Sequence, residues 1–219
     1  MPEALFAELL AATTGLLLLS ATLQVWRRSL TASIRLLAVQ GVALAGLVAA
    51  IGLHDHELEL LPVALLVLVL KAATMPWVLS RISRATGATR EETPRMNPTS
   101  ALMVVALLTT LAYVVSQPVV AVNPGPASRA VPIGVALALI GFLVLLTRRR
   151  ALSQLIGFVV LDNGIAAVAF LTAGGVPLVV ELGASLDVLL IVLILRVLTS
   201  RMQLAFGDTD LDDLTELRD

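Results

Sequence analysis

Along this chain apolar residues come in long continuous stretches, broken by short polar or turn-forming ones. A helix crossing a hydrocarbon core of about 30 Å needs roughly 20 mostly apolar residues. Seven stretches meet that length, at about 5–25, 34–53, 60–80, 99–121, 130–147, 152–173 and 178–200. They are parted by Arg27-Arg28-Ser29, His54-Asp55-His56-Glu57, Gly87 to Pro98, Asn123-Pro124-Gly125-Pro126, Arg148-Arg149-Arg150 and Gly174-Gly175-Val176-Pro177. Continuous runs, without a period of two, argue against a transmembrane β-barrel. The pattern predicts an all-α integral membrane protein with seven transmembrane helices. It divides at the Asn-Pro-Gly-Pro turn into a four-helix part (1–121) and a three-helix part (130–200), followed by an acidic tail (201–219).

Charge sets the expected orientation. Arg27, Arg28, Arg35, Arg81, Arg84, Arg90, Arg95, Arg148, Arg149, Arg150, Arg201 and Arg218 all fall on one side of a seven-span alternation, and Arg129 alone on the other. Cations mark the cytoplasmic side, so the N-terminus is expected outside and the C-terminus in the cytoplasm. Glu3 and Glu8 stand where a signal peptide would be basic, so the first stretch reads as a span and not as a cleaved leader. Of the 219 residues, 58% are hydrophobic and 14% charged, too few charges for a soluble surface. Cysteine is absent, which excludes thiol nucleophiles and Cys-ligated clusters in this chain. A net charge of −1 gives no support for nucleic-acid binding.

Apart from Glu8 and Arg35 near the ends of the first two, five charged residues lie within the apolar stretches: Lys71, Asp162, Glu181, Asp187 and Arg196. A charge at mid-bilayer costs at least about 2.5–3.5 kcal/mol on insertion scales, so each needs a reason. Lys71, Asp162 and Asp187 lie about nine to eleven residues from the outer ends of spans three, six and seven. At about 1.5 Å per residue all three sit roughly 14–17 Å deep, within one helical turn of each other. Such a row, bridged by water, passes protons laterally or holds charge states that move together. A Lys–Asp pair also pins two helices without carrying anything, which is the plainer reading. Glu181, in the first turn after Pro177, suits a helix N-terminus, and Arg196 snorkels to the cytoplasmic interface.

Weaker features are read plainly. His54-Asp55-His56-Glu57 reads as a solvated loop, since a closed metal site needs about four ligands. Asp208, Asp210 and Asp212 resemble the start of a calcium loop, but Asp213 stands where that loop needs Gly. Neither a metal nor a cofactor is assigned to the chain. Small residues recur at helical spacing in span two (Gly41, Ala45, Ala49; Gly46, Ala50), as they do where helices approach closely and wherever Ala and Gly are simply common. Pro76, five residues after Lys71, removes a backbone hydrogen bond, and a kink there would free carbonyls to hold water. Eight aromatic residues are too few for an aromatic-lined receptor pocket.

The last three spans carry a resemblance. Arg149 to Gly157 (RRALSQLIG), leading to Asn163, resembles the middle helix of the small three-helix subunit of respiratory complex I, and Asp212 to Arg218 resembles that subunit's end. A closer likeness is to hydrogenase-4 component E, a seven-helix family of formate hydrogenlyase-type complexes. It rests on Gly157 to Gly164 with Asp162-Asn163 inside, Pro177 to Gly183 with Glu181 inside, and Asp187-Val188-Leu189. Lys71-Ala72 with Pro76, and Asn97-Pro98 opening span four, extend it over nearly the whole chain. The complex I subunit carries a glutamate where this chain has Val159, and Asp162 lies one turn further along the same face. At the Asp162 position itself the hydrogenase relatives carry Glu, one methylene longer.

The resemblance implies a non-catalytic membrane subunit in the cytoplasmic membrane of a prokaryote. Its partners would be antiporter-like and complex I-like subunits of a hetero-oligomer, and redox chemistry would lie elsewhere in the assembly. Lys71, Asp162, Asp187 and Glu181 would contribute to its proton path. Two alternatives stand beside this: a subunit of a multisubunit cation/proton antiporter without a redox partner, and a structural scaffold linking antiporter-like subunits.

Overall fold

The structure is a computed structural model that describes residues 1–85, 96–122 and 124–173. Among these residues six helices are long and apolar enough to cross a membrane, and there is no β-strand. They are α1 (Glu3–Trp26), α2 (Leu30–His54), a third span, α5 (Pro98–Val122), α6 (Pro126–Thr147) and α7 (Ala151–Ala173). The third span is composite: α3 (Leu60–Val67), a π-helical segment (Leu68–Thr74) and α4 (Met75–Ala85). The expected seventh span at 178–200 and the acidic tail lie outside the described residues.

Most boundaries follow local chemistry. Ser29 caps α2 by accepting a hydrogen bond from the Ala32 amide at 3.4 Å. Before span three the chain reverses at His56, whose φ of 59° is in the left-handed region that His tolerates better than most residues. Three boundaries differ from expectation by four or five residues: α2 starts at Leu30 and not at 34, span three runs on to Ala85 and not 80, and α6 begins early. α6 starts at Pro126, not near residue 130, because Gly125 serves as N-cap and Pro126, with φ already set for a helix, occupies the first position. The Asn-Pro-Gly-Pro turn is therefore shorter than the apolar pattern indicated.

The bundle is centred on α2, which packs against α1, span three and α7 and has Leu44, Leu47 and Val48 wholly enclosed. Among the described residues α6 and α7 form the most extensive helix pair. Here a Cβ added to Gly141 would strike the Leu161 backbone, and one added to Gly164 the Ala138 backbone. One added to Gly157 would lie 2.6 Å from the Leu145 amide nitrogen. Lipid is as apolar as leucine, so helices in it are held by close packing, and glycines at such contacts allow it. α5 lies at the periphery, with Met103, Leu107, Val114 and Val115 on the outside of the bundle.

Consecutive helices alternate in direction. The end of α1, the starts of α2, α5 and α7, and the end of α6 gather at one pole, where Arg27, Arg28 and Arg148 line shared cavities. At the other pole the start of α1 meets the start of α6, and Phe6 stacks on His54 with ring centroids 3.8 Å apart. His54 is therefore packed against a ring, where the sequence suggested a merely solvated loop.

Candidate functional site

The site forms where three helices pass mid-membrane. Lys71 lies about eleven residues past Leu60 and Asp162 about eleven past Ala151, so both sit roughly 16 Å from their helix ends at about 1.5 Å per residue. The Lys71 ammonium donates to Asp162 Oδ2 at 2.9 Å. The lysine side chain is 4% exposed and the aspartate 18%, so the amine is enclosed while the carboxylate keeps some access.

The backbone around Lys71 is unusual. Leu68–Thr74 is wound as a π-helix, just before Pro76. Proline has no amide hydrogen and its ring crowds the carbonyl four residues back, so an α-helical ladder could not run through it unchanged. Widening by one residue per turn resolves the conflict. The Met75 amide donates to Leu70 O, five residues back, and the Thr74 hydroxyl donates to Val69 O at 2.9 Å. The carbonyls of Val69 and Leu70 are therefore taken up, while the missing Pro76 amide bears on those of Lys71 and Ala72. Such π segments recur at functional sites, because they re-aim side chains.

α2 holds this segment in place. A Cβ on Gly41 would collide with Ala72 N and with Lys71 C, so the α2 backbone touches the π turn at the lysine itself. One residue earlier, Gln40 is wholly buried, and its Oε1 accepts a hydrogen bond from Asn163 Nδ2 at 3.1 Å. Asn163, 1% exposed, directly follows Asp162. Gln40 Nε2 and Asn163 Oδ1 make no further hydrogen bond. Reversing both amides exchanges these atoms but still leaves one donor and one acceptor over. Lys71–Asp162 and Gln40–Asn163 are thus two polar pairs at neighbouring positions in an apolar bundle, the first of them able to hold charge and exchange a proton.

Of the four residues expected from sequence, Lys71 and Asp162 are brought together, while Glu181 and Asp187 lie outside the described residues, as does Arg196. Gln40 was not anticipated; its signal was a lone amide at mid-span beside the small residues of span two. Arg148 was read only as one of three loop cations. It is 7% exposed, and its Nη2 donates to Gln24 O, Val25 O and Arg27 O at 2.9–3.1 Å. These carbonyls end α1 and have no intrahelical partner, so a buried cation there is stabilising.

Comparison with known proteins gives two levels of likeness. Hydrogenase-4 component E of Escherichia coli K12 is 24% identical over 204 residues, 93% of this chain and 94% of that protein, and the Shigella flexneri protein of that name matches equally. No family model and no solved structure matches the chain. The uncharacterized protein Rv0085 of Mycobacterium tuberculosis is 49% identical over 220 residues, covering 100% of both chains. With about half of its residues shared from end to end, this multi-pass membrane protein belongs to one family with Rv0085, and its likeness to hydrogenase-4 component E is a more distant one.

Proposed function

We propose that the chain is an accessory membrane subunit of a membrane-bound hydrogenase-type or complex I-like assembly, and that Lys71 and Asp162 belong to its proton path. The observation that carries this reading is the ion pair at mid-membrane, joined to the distant likeness to hydrogenase-4 component E along 93% of the chain. A buried ion pair is weak evidence for stability, since its desolvation cost rivals its attraction. Intramembrane ionisable groups are, by contrast, a common mark of proton relays.

In this reading the enclosed amine and the more accessible carboxylate are two settings of one switch. When a neighbouring subunit changes charge, Asp162 either keeps Lys71 as partner or takes a proton and releases it. Asp187 and Glu181 of the last span extend the path, the pole bearing Arg27, Arg28 and Arg148 faces the cytoplasm, and the assembly sits in a prokaryotic cytoplasmic membrane. The test is Asp162→Asn in the assembled complex, reconstituted in vesicles with a pH-sensitive dye. Intact assembly with proton pumping lost is the expected result; unimpaired pumping would refute the role. The pair also bridges two helices, which favours a scaffold as second reading. A scaffold predicts that the same variant loses its partner subunits on purification.

A further inference from the structure

We propose that the basic pole carries a binding site for the phosphate headgroup of an anionic phospholipid. An open groove of about 760 Å³ is lined by Trp26, Arg27, Arg28, Ser29, Asn97 and Thr99. Among the described residues no acidic side chain lines it. The guanidinium groups of Arg27 and Arg28 make no hydrogen bond or ion pair with any described residue. They are not needed to neutralise the end of α1, because Arg148 already bonds its last carbonyls from within. Two charges are thus left facing the groove.

The surroundings suit a lipid phosphate. α2 and α5 both begin at the groove, so their first amides and the positive ends of their dipoles add to its field. Trp26, 52% exposed, ends the first span at the level where indole rings sit among headgroups. A second cavity of about 10 Å³, room for one water, shares Arg27 and Arg28 with the groove. It is also lined by Gln24, which is 1% exposed and whose two amide atoms have no hydrogen-bond partner. A buried, unsatisfied amide behind two arginines is a hydrogen-bonding reserve for a phosphate oxygen or the water attached to it. A lipid is favoured over free phosphate because the groove opens beside the end of a span, where the acyl chains of a bound lipid would continue along α1.

The experiment uses the full chain carrying Trp77→Phe, so that Trp26 is the single tryptophan, reconstituted in phosphatidylcholine vesicles. Brominated phosphatidylglycerol is expected to quench Trp26 at a lower mole fraction than brominated phosphatidylcholine, by a factor on the order of ten. Arg27→Gln with Arg28→Gln should abolish that preference, and the double Lys variant should keep most of it. Arg81→Gln, a cation in the middle of α4 seated over the residue 77 ring and outside the groove, should keep it as well. Equal quenching by the two lipids would overturn the site. So would an equal loss in Arg81→Gln, which means diffuse attraction, or displacement by millimolar inorganic phosphate, which means a free-phosphate site. If the Gln variant fails to fold, the lipid comparison on the parent chain and the Lys variant still decides.

Discussion

Where α6 meets α7, glycines at 134, 141, 157 and 164 set the helices backbone to backbone, and the atoms they would strike belong to Val168, Leu161, Leu145 and Ala138. Where α2 meets the π turn, Gly41 makes the same close approach, but its neighbours Gln40 and Lys71 are hydrogen-bonded to Asn163 and Asp162 of α7. The first contact needs no charge to hold, since close packing alone drives association in lipid. The second contains charges that packing does not require and that cost free energy to bury. Two interfaces in one bundle thus differ in kind: one holds by packing alone, and the other also encloses the charges that the proposed proton path would use.

The largest expected effect breaks the second interface while sparing the first. Lys71→Met alone or Asp162→Leu alone removes one half of the ion pair and should cost about 3–5 kcal/mol. The double variant should recover most of that stability without recovering proton transport. Unfolding of the chain in mixed micelles, run beside the vesicle assay, checks both. Singles no worse than the double would mean that the pair is not buried as a pair.

An intermediate effect sharpens the contrast between the glycines. Gly141→Ala and Gly41→Ala each push backbones apart and should each cost about 1–3 kcal/mol. Only Gly41→Ala should also impair transport, because the atoms it displaces belong to Lys71 and Ala72. Gly15 is the control: a Cβ there meets nothing within 4 Å, so Gly15→Ala should be neutral or stabilising by up to about 1 kcal/mol. Equal losses of transport at Gly41 and Gly141 would erase the distinction between the two interfaces.

The smallest effect concerns the amide pair. Gln40→Leu removes one interhelical hydrogen bond and should cost about 1 kcal/mol in lipid. Adding Asn163→Leu should give back part of it, since both amides already carry an unbonded atom. Stability in micelles measures this. A loss as large as that of Asp162→Leu would place the main anchor at Gln40 instead of at the ion pair.

Much of the fold was legible because lipid imposes a length. Six of the expected spans appear among the described residues, most with ends within a few residues of those read from hydropathy. The depth shared by Lys71 and Asp162 was equally legible, because helical rise turns a residue count into a height. What could not be read was azimuth. Gly41, Ala45 and Gly46 look alike in sequence, yet Gly41 touches the π turn while Gly46 faces Thr13. Arg148, Arg149 and Arg150 are chemically identical neighbours, and only the packing of α1 against α6 turns Arg148 in to meet the α1 carbonyls. Pro76 announced a disturbed ladder, but that the disturbance takes the form of a π turn shows only in the folded span.

The amino-acid order alone determined that the described part of this chain is built of helices long and apolar enough to cross a membrane, how many residues each contains, and that Lys71 and Asp162 lie at one height. Those properties depend on transfer from water to hydrocarbon and on a fixed rise per residue, both local and additive. The tertiary structure alone decided that the Lys71 amine meets the Asp162 carboxylate across 91 residues of chain, that Gln40 joins Asn163, and that two arginines are left facing a groove. Such pairings depend on helix rotation and close packing, which are cooperative properties of several helices at once and leave no mark in any one of them.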